Sequence, residues 1–181
     1  MNQPRLTFDE AKHEYRYKGE VVLSVTQILT RANPGAMAFC TQEGLDRGTA
    51  VHAEIARWLS GDWQDCQPTG YLAQAVKFLE DVNACVIDFE KIVMHRDLRY
   101  CGRIDLVCRI NGLTFLLDWK TNTIPESAGP QTAGYAAAWN STRKRNRIDK
   151  RGAVLLTPDR YRLVELSDPM DWGDFLRRCA P

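Results

Sequence analysis

The sequence predicts an α/β fold in which helices pack on one mixed β-sheet, and three observations predict it. Apolar residues recur at helical spacing through two stretches before residue 85. Beyond it the period changes to that of extended chain, in three consecutive stretches; the last two are joined by Asn111-Gly112, a strong hairpin signal. An Ala-rich helix then separates these from two further extended stretches. That alternation belongs to a sheet with helices packed on it.

The elements follow in chain order. "LTFDEAKHEYRYKGEVV" alternates apolar and polar residues in short pieces around Lys18-Gly19, which reads as a small hairpin. Ser24 sits where an N-cap would, ahead of Val25, Ile28 and Leu29. "NPGAMAF", residues 33–39, interrupts. A helix from about Gly44 to Leu59 carries the stripe Val51, Ile55, Trp58 and Leu59, and Ser60-Gly61 stops it. The next, about Tyr71 to Cys85, sets Leu72, Val76, Leu79 and Val82 on one side. "VIDFEKIVMH", "LRYCGRIDLVCRI" and "LTFLLDWKT" are the three strands, and "QTAGYAAAWNST" is the Ala-rich helix. "GAVLLT" and "YRLVEL" are two more strands around Pro158-Asp159, and "MDWGDFLRRC" is a closing helix. With no repeats, low-complexity tracts or linkers, residues 1–181 read as a single domain. The hairpin and helices take about 1–85, the sheet core about 86–165 and the closing helix about 169–179.

Composition narrows the function classes. At 44% hydrophobic and 26% charged residues the chain is ordinary globular protein. Its net charge of +1 leaves attraction to a polyanion to local patches. No run of eighteen apolar residues exists and the start lacks a signal peptide's apolar core. An intracellular, cytoplasmic location and no membrane partner are expected. The six cysteines, at 40, 66, 85, 101, 108 and 179, show neither a CxxC pair nor zinc-finger spacing, so reduced, mostly buried thiols are expected.

Chemistry concentrates in "LTFLLDWKTN". Asp118 and Lys120 are two apart on a strand and project from one face, while Trp119 points the other way. Asp105 lies six residues before Asn111 and Asp118 six after Gly112, so antiparallel pairing brings the two carboxylates close. On Asp118-x-Lys120 alone, a salt bridge capping a strand accounts for the pair. The second Asp changes the balance, because two like charges at close range call for a cation between them. A hard divalent ion, Mg²⁺ or Mn²⁺, suits an all-oxygen pair. Beside a Lys, such an ion suits hydrolysis of a phosphate ester.

The order His52, Asp105, Asp118-x-Lys120, Gln131-x-x-x-Tyr135 resembles the RecB-like branch of the PD-(D/E)XK nucleases. That branch holds phage and prophage exonucleases, CRISPR adaptation nucleases and the mitochondrial genome maintenance exonucleases. The likeness extends to "LSVTQIL", "RGTAVHAEI" and "LRYCGRIDLVCRINGLTFLLDWKTN", from about residue 15 to about 165. It implies a restriction-endonuclease-like α/β core and a metal-dependent DNA exonuclease of phage or prophage recombination, repair or processing. Two alternatives stay open: a structure-specific endonuclease, and a catalytically silent nucleic-acid-binding module.

The resemblance implies roles residue by residue. Asp105, Asp118, His52 and the backbone carbonyl of Trp119 would hold Mg²⁺ or Mn²⁺. Lys120 would be the catalytic lysine, and Gln131 and Tyr135 would hold the DNA, taken as single strands or duplex ends. The aspartate at 118 replaces the glutamate of many relatives; both occur. Cluster-bearing relatives use a late trio of cysteines, and this C-terminal end offers only Cys179, so no iron–sulfur cluster is expected. A recombination or replication protein is a further expected partner, in a bacterial or phage-infected cell. By spacing alone His52 is a core histidine, and Gln131 with Tyr135 is an ordinary helix face. Glu90, where relatives often carry a Glu, reads equally as support behind the ligands or as a solvated strand-edge charge, and stays outside the expected site. His13 and His95 read as structural. The run "TRKRNRIDKR", residues 142–151, holds six Arg or Lys and one Asp; it is a solvated loop or a phosphate-tracking patch leading toward the site.

Overall fold

A computed structural model of the chain describes residues 6–9, 12, 14–32, 41–62, 67–121 and 123–179. The expected break at residues 33–39, His13, Cys40 and Cys66 lie outside them. The N-terminal hairpin has a third strand. β1 (Leu6–Asp9), β2 (Glu14–Tyr17) and β3 (Glu20–Val22) form an antiparallel sheet, and Lys18-Gly19 makes the β2–β3 turn. Ser24 caps α1 (Val25–Ala32) reciprocally with Gln27: Gln27 N–H donates to Ser24 Oγ at 3.1 Å, and Ser24 N–H to Gln27 Oε1 at 2.8 Å. α2 (Gln42–Leu59) begins at Thr41, whose hydroxyl accepts from Gly44 N–H at 3.1 Å. α3 (Gly70–Asp81) stops earlier than its apolar stripe suggests, because Asn83 turns left-handed and Cys85 already opens a strand.

The main sheet orders β4 (Cys85–His95), β5 (Tyr100–Ile110), β6 (Leu113–Lys120), β7 (Lys150–Leu156) and β8 (Tyr161–Glu165) in sequence. β6 and β7 are parallel, joined across α4 (Ala128–Thr142), and every other pair is antiparallel, so the sheet is mixed. α5 (Asp171–Cys179) closes the chain. Asn111 and Gly112 both have positive φ, at 49° and 82°, the turn that a two-residue hairpin needs.

Two cores sandwich the sheet. Val51 and Ile55 of α2 and Leu72, Ala75, Phe78 and Leu79 of α3 pack on Leu106, Leu117 and Trp119. On the other face α1, α4 and Phe175 of α5 cover Ile104, Val107 and Leu116. Helices on both faces bury the central strands almost completely. That is why β5 and β6 read as near-continuous apolar runs interrupted only where charge is needed. No helix among the described residues is long and apolar enough to cross a membrane.

Candidate active site

The β5–β6 register runs from Ile110↔Leu113 to Leu106↔Leu117, and its next step sets Asp105 against Asp118. Leu116 belongs to the α4-side core, Leu117 and Trp119 to the α2-side core, so the pleat turns Asp118 and Lys120 toward α4. There Lys120 Nζ meets Asp118 Oδ2 at 2.5 Å and donates to Gln131 Oε1 at 3.3 Å. The Gln131 amide donates to the Tyr135 hydroxyl at 3.3 Å, and that hydroxyl lies 3.4 Å from Thr26 Oγ1. A polar chain thus runs from the end of β6 through α4 to the start of α1.

His52 comes from the opposite layer, on the turn of α2 between Val51 and Ile55. Its Nε2 is 3.0 Å from the Trp119 carbonyl oxygen and its Nδ1 3.5 Å from Asp105 Oδ1. The other Asp105 oxygen accepts from Trp119 N–H at 2.9 Å. The two peptide groups flanking Trp119 are therefore gripped by Asp105 and His52.

Glu90 completes the group. Pairs Phe89↔Leu106 and Lys91↔Ile104 flank the Glu90–Asp105 position, where Glu90 takes φ +46° in mid-strand. Across that point the alternation slips: Ile104 faces α4, whereas Leu106, two residues on, faces α2. Left-handed backbone costs an L-residue roughly 1–2 kcal/mol, and such strain gathers at functional sites. One donor atom each from His52, Glu90 and Asp105 lies within 4.8 Å of the others. An octahedral shell at ~2.1 Å needs neighbouring donors about 3 Å apart and opposite ones about 4 Å apart. The spacing fits one divalent ion, and the Trp119 carbonyl stands beside His52 as a further donor.

Expectation grouped His52, Asp105 and Asp118. Among the described residues the structure brings His52 and Asp105 together with Glu90, while Asp118 meets Lys120. The sequence clue to Glu90 was the family resemblance alone, and period-2 alternation cannot forecast a slip in itself.

The electrostatics explain why these charges are gathered. Burial works against a charged His52, yet Asp105, Asp118 and the Trp119 carbonyl together lift its pKa to about 9. Burial also opposes ionisation of Asp105, but His52, Lys120 and the Trp119 N–H outweigh it and hold this carboxyl below the usual range. Asp118 and Glu90 go the other way. Each is pushed up by burial and by the Asp105 charge, against the pull of Lys120 and His52 on Asp118 and of His52 and Arg103 on Glu90. Asp118 Oδ2 is closed off from solvent without an aligned hydrogen bond. Asp118 and Glu90 thus stay crowded against Asp105 although each has a cation near it. A divalent cation fits the cluster's donors, and the imidazole among the oxygens suits Mn²⁺ as well as Mg²⁺.

Two hollows flank the site. A cleft of about 430 Å³ opens beside His52 and Lys120, walled by Thr41, Gly44, Leu45 and Gly48 of the α2 start and by Thr121, Thr123 and Pro125. A smaller one of about 120 Å³ lies between Tyr15, Ser24, Thr26, Gly102, Arg103 and Tyr135.

The basic run lies elsewhere. Asp149 N–H donates to Thr114 O, Arg109 donates to Asn146 Oδ1, and Lys150 pairs with Phe115, which places the run at the Asn111-Gly112 end of β6. Six residues of strand, about 20 Å, separate that end from Lys120. Arg143 stacks 3.4 Å over the Trp139 ring and sits 3.6 Å from Asp88, and Arg147 donates to Asn140 O. The run does not lead toward the site. Of the described cysteines, Cys101 and Cys108 are buried with thiols pushed up to about 12, Cys179 is half-buried and Cys85 is exposed.

No protein-family model matches the chain, and no curated protein matches it. Among solved structures it is similar to SSO0001, at 16% identity and a TM-score of 0.43, over 86% of this chain and 71% of that one. It is also similar to LHK-Exo, solved in complex with dAMP, at 11% identity and a TM-score of 0.38, over 87% and 84%. Likenesses that faint assign the chain no activity.

Proposed function

We propose that this protein is a metal-dependent deoxyribonuclease, an exonuclease, that hydrolyses phosphodiester bonds. The observation that carries the reading is the convergence of His52, Glu90 and Asp105 on the β6 peptide that also presents Asp118 and Lys120. The sequence pattern from His52 to Tyr135 supports it. His52, Asp105, Glu90 and the Trp119 carbonyl would hold Mg²⁺ or Mn²⁺, with Asp118 at its edge. When bound, the ion would polarise the phosphoryl group and activate water near neutral pH.

The rest follows from the chain's own groups. Lys120 is fixed between Asp118 and Gln131, and burial, which opposes its charge, is outweighed by the two aspartates, so it stays an ammonium. From there it would orient the nucleophile and offset charge developing on the phosphate. Gln131 sets the direction of that ammonium, and Tyr135 sets Gln131. Tyr135 is buried, so it would act on the DNA only through Gln131, and the phosphate backbone would meet this chain at Lys120 and Gln131.

The test uses linear and closed-circular DNA, single- and double-stranded, with Mg²⁺, Mn²⁺ or EDTA. Loss of linear DNA alone, dependent on metal and reduced at least 100-fold by Asp118→Ala and by Lys120→Ala, is the expected result. Cutting of circles would make the enzyme an endonuclease. Binding without cleavage in either metal would overturn the enzyme and leave a binding module.

A further inference from the structure

We infer that the cleft between the start of α2 and Thr121, Thr123 and Pro125 receives a single unpaired nucleoside, base and sugar, of the strand whose phosphate lies at the proposed metal site. This rests on the nuclease reading for what lies beside the cleft, and on the cleft itself for what enters it. Its volume, about 430 Å³, falls among sites that enclose one small organic group, roughly 300–1,000 Å³.

The lining sorts a nucleotide into its parts. Among the described lining residues only His52 and Lys120 can carry charge, and both belong to the proposed metal site, so the phosphate belongs at that end. The remaining described wall is Leu45, Trp119, Pro125 and helix backbone, with the hydroxyls of Thr41, Thr121 and Thr123. A neutral ring with hydrogen-bonding edges matches apolar walls dotted with hydroxyls, whereas a second phosphate would find no cation among the described residues there. The Thr41 hydroxyl accepts from Gly44 N–H and keeps its proton to donate.

Gly48 shows that the space is not an accident of packing. It sits inside α2, where glycine is a poor helix former, and its backbone is ordinary right-handed helix. Among the described residues, a Cβ at this position would meet only Thr121 Oγ1, at 3.9 Å, an ordinary contact. Neither backbone nor packing asks for glycine. The missing side chain keeps the cleft wide where it approaches His52, one turn away. A base lodged there has left its stack and its partner, so the strand enters single or from a frayed end. Unstacking is least costly for a strand already single.

The test measures binding by fluorescence anisotropy, with Ca²⁺ replacing Mg²⁺ to hold back cleavage. The probes are a labelled single-stranded oligonucleotide and the same strand with abasic tetrahydrofuran residues along its length. The wild-type protein should bind the intact strand at least 10-fold more tightly than the abasic one. Gly48→Leu should bind the intact strand about 10-fold more weakly and no longer tell the two apart, with Mn²⁺ binding and melting temperature preserved. Gly48→Ala should fall between. Equal affinity of the wild-type protein for both strands would overturn the inference, and so would full discrimination by Gly48→Leu. Should Gly48→Leu not fold, the wild-type comparison decides alone. A wild-type protein that discriminates but cleaves nothing in Mg²⁺ or Mn²⁺ keeps the base site and loses the nuclease. One that cleaves without discriminating keeps the nuclease and loses the base site.

Discussion

Gly102→Ala is the substitution whose effect can be worked out most fully from contacts. Gly102 pairs with Val93 in the middle of the β4–β5 ladder, facing Tyr135 of α4. A Cβ there would come within 2.4 Å of Tyr135 Cε1 and 3.1 Å of Cδ1, far inside van der Waals distance. The ring cannot yield cheaply, because it is packed among Val93, Tyr100 and Ile104 in the α4-side core. Overpacking of this kind costs about 1–3 kcal/mol. Displacing the ring also breaks the hydroxyl's bonds to Gln131 and Thr26, at roughly 0.5–1.5 kcal/mol for each. The sum, about 2–6 kcal/mol, would lower the melting temperature by roughly 4–24 °C in a chain of this size. Activity should fall further than stability predicts, since Gln131 loses the group that sets its direction toward Lys120. Urea unfolding and strand cleavage, measured on the same preparations, separate the two effects. Tyr135→Phe should cost about 1–3 kcal/mol, the two hydrogen bonds alone. Adding Tyr135→Leu to Gly102→Ala should recover part of the stability and none of the activity. A Gly102→Ala protein that unfolds at the wild-type urea concentration would show that the β5–α4 contact is not as drawn.

Three further outcomes follow from the same geometry. Glu90→Gly should leave metal-free stability unchanged or raise it by about 1 kcal/mol, because glycine tolerates φ +46°, while the stabilisation given by Mn²⁺ disappears; melting in EDTA and in Mn²⁺ reads both, and a large loss in EDTA would deny the strain. Glu90 binds its proton more tightly folded than unfolded, so its ionisation costs stability as pH rises above the ordinary glutamate range; in EDTA, Glu90→Gln should therefore be the more stable protein at pH 7 and lose that slope, and a less stable Gln variant would contradict it. Arg143→Ala should cost about 1 kcal/mol through the Trp139 stack and leave cleavage alone, and Lys144→Ala with Arg145→Ala should leave the salt dependence of DNA binding as it was; a flattened salt slope would restore the basic run as a phosphate track.

The pairing of Asp105 with Asp118 was legible because register is arithmetic: Asn111-Gly112 names the turn, and counting six residues outward finds both carboxylates. Ser24 as a cap and the stripe ending at Leu59 were legible for similar local reasons. What was not legible needed the third dimension. Glu90 joins the cluster only because the β4–β5 alternation slips beside it, and a sequence read at a period of two has no term for a slip. The basic run looked like an approach to the site because it follows Gln131 and Tyr135 in the chain. Yet α4 carries the chain back along the sheet, so sequence nearness to Tyr135 became distance from Lys120. β1 was hidden because four residues are too few to show a period.

Each acid of the cluster has a cation near it: Asp118 has Lys120, Asp105 has His52, and Glu90 has Arg103 at 3.6 Å. A set of satisfied salt bridges would end there, and each carboxyl would sit below its ordinary pKa. Glu90 and Asp118 do not, because burial raises both and Asp105 stands close to each in a place where water screens little. His52 and Lys120 are meanwhile held charged by Asp105 and Asp118. A residue that merely capped a strand would gain nothing from a left-handed backbone or from a neighbouring carboxylate. Strain at Glu90 and crowding around Asp105 both weaken the fold alone; one divalent cation would neutralise the crowding and, by taking Glu90 as a ligand, offset the strain. That shared remedy is the physical reason to read the cluster as a metal centre rather than as structural ion pairs.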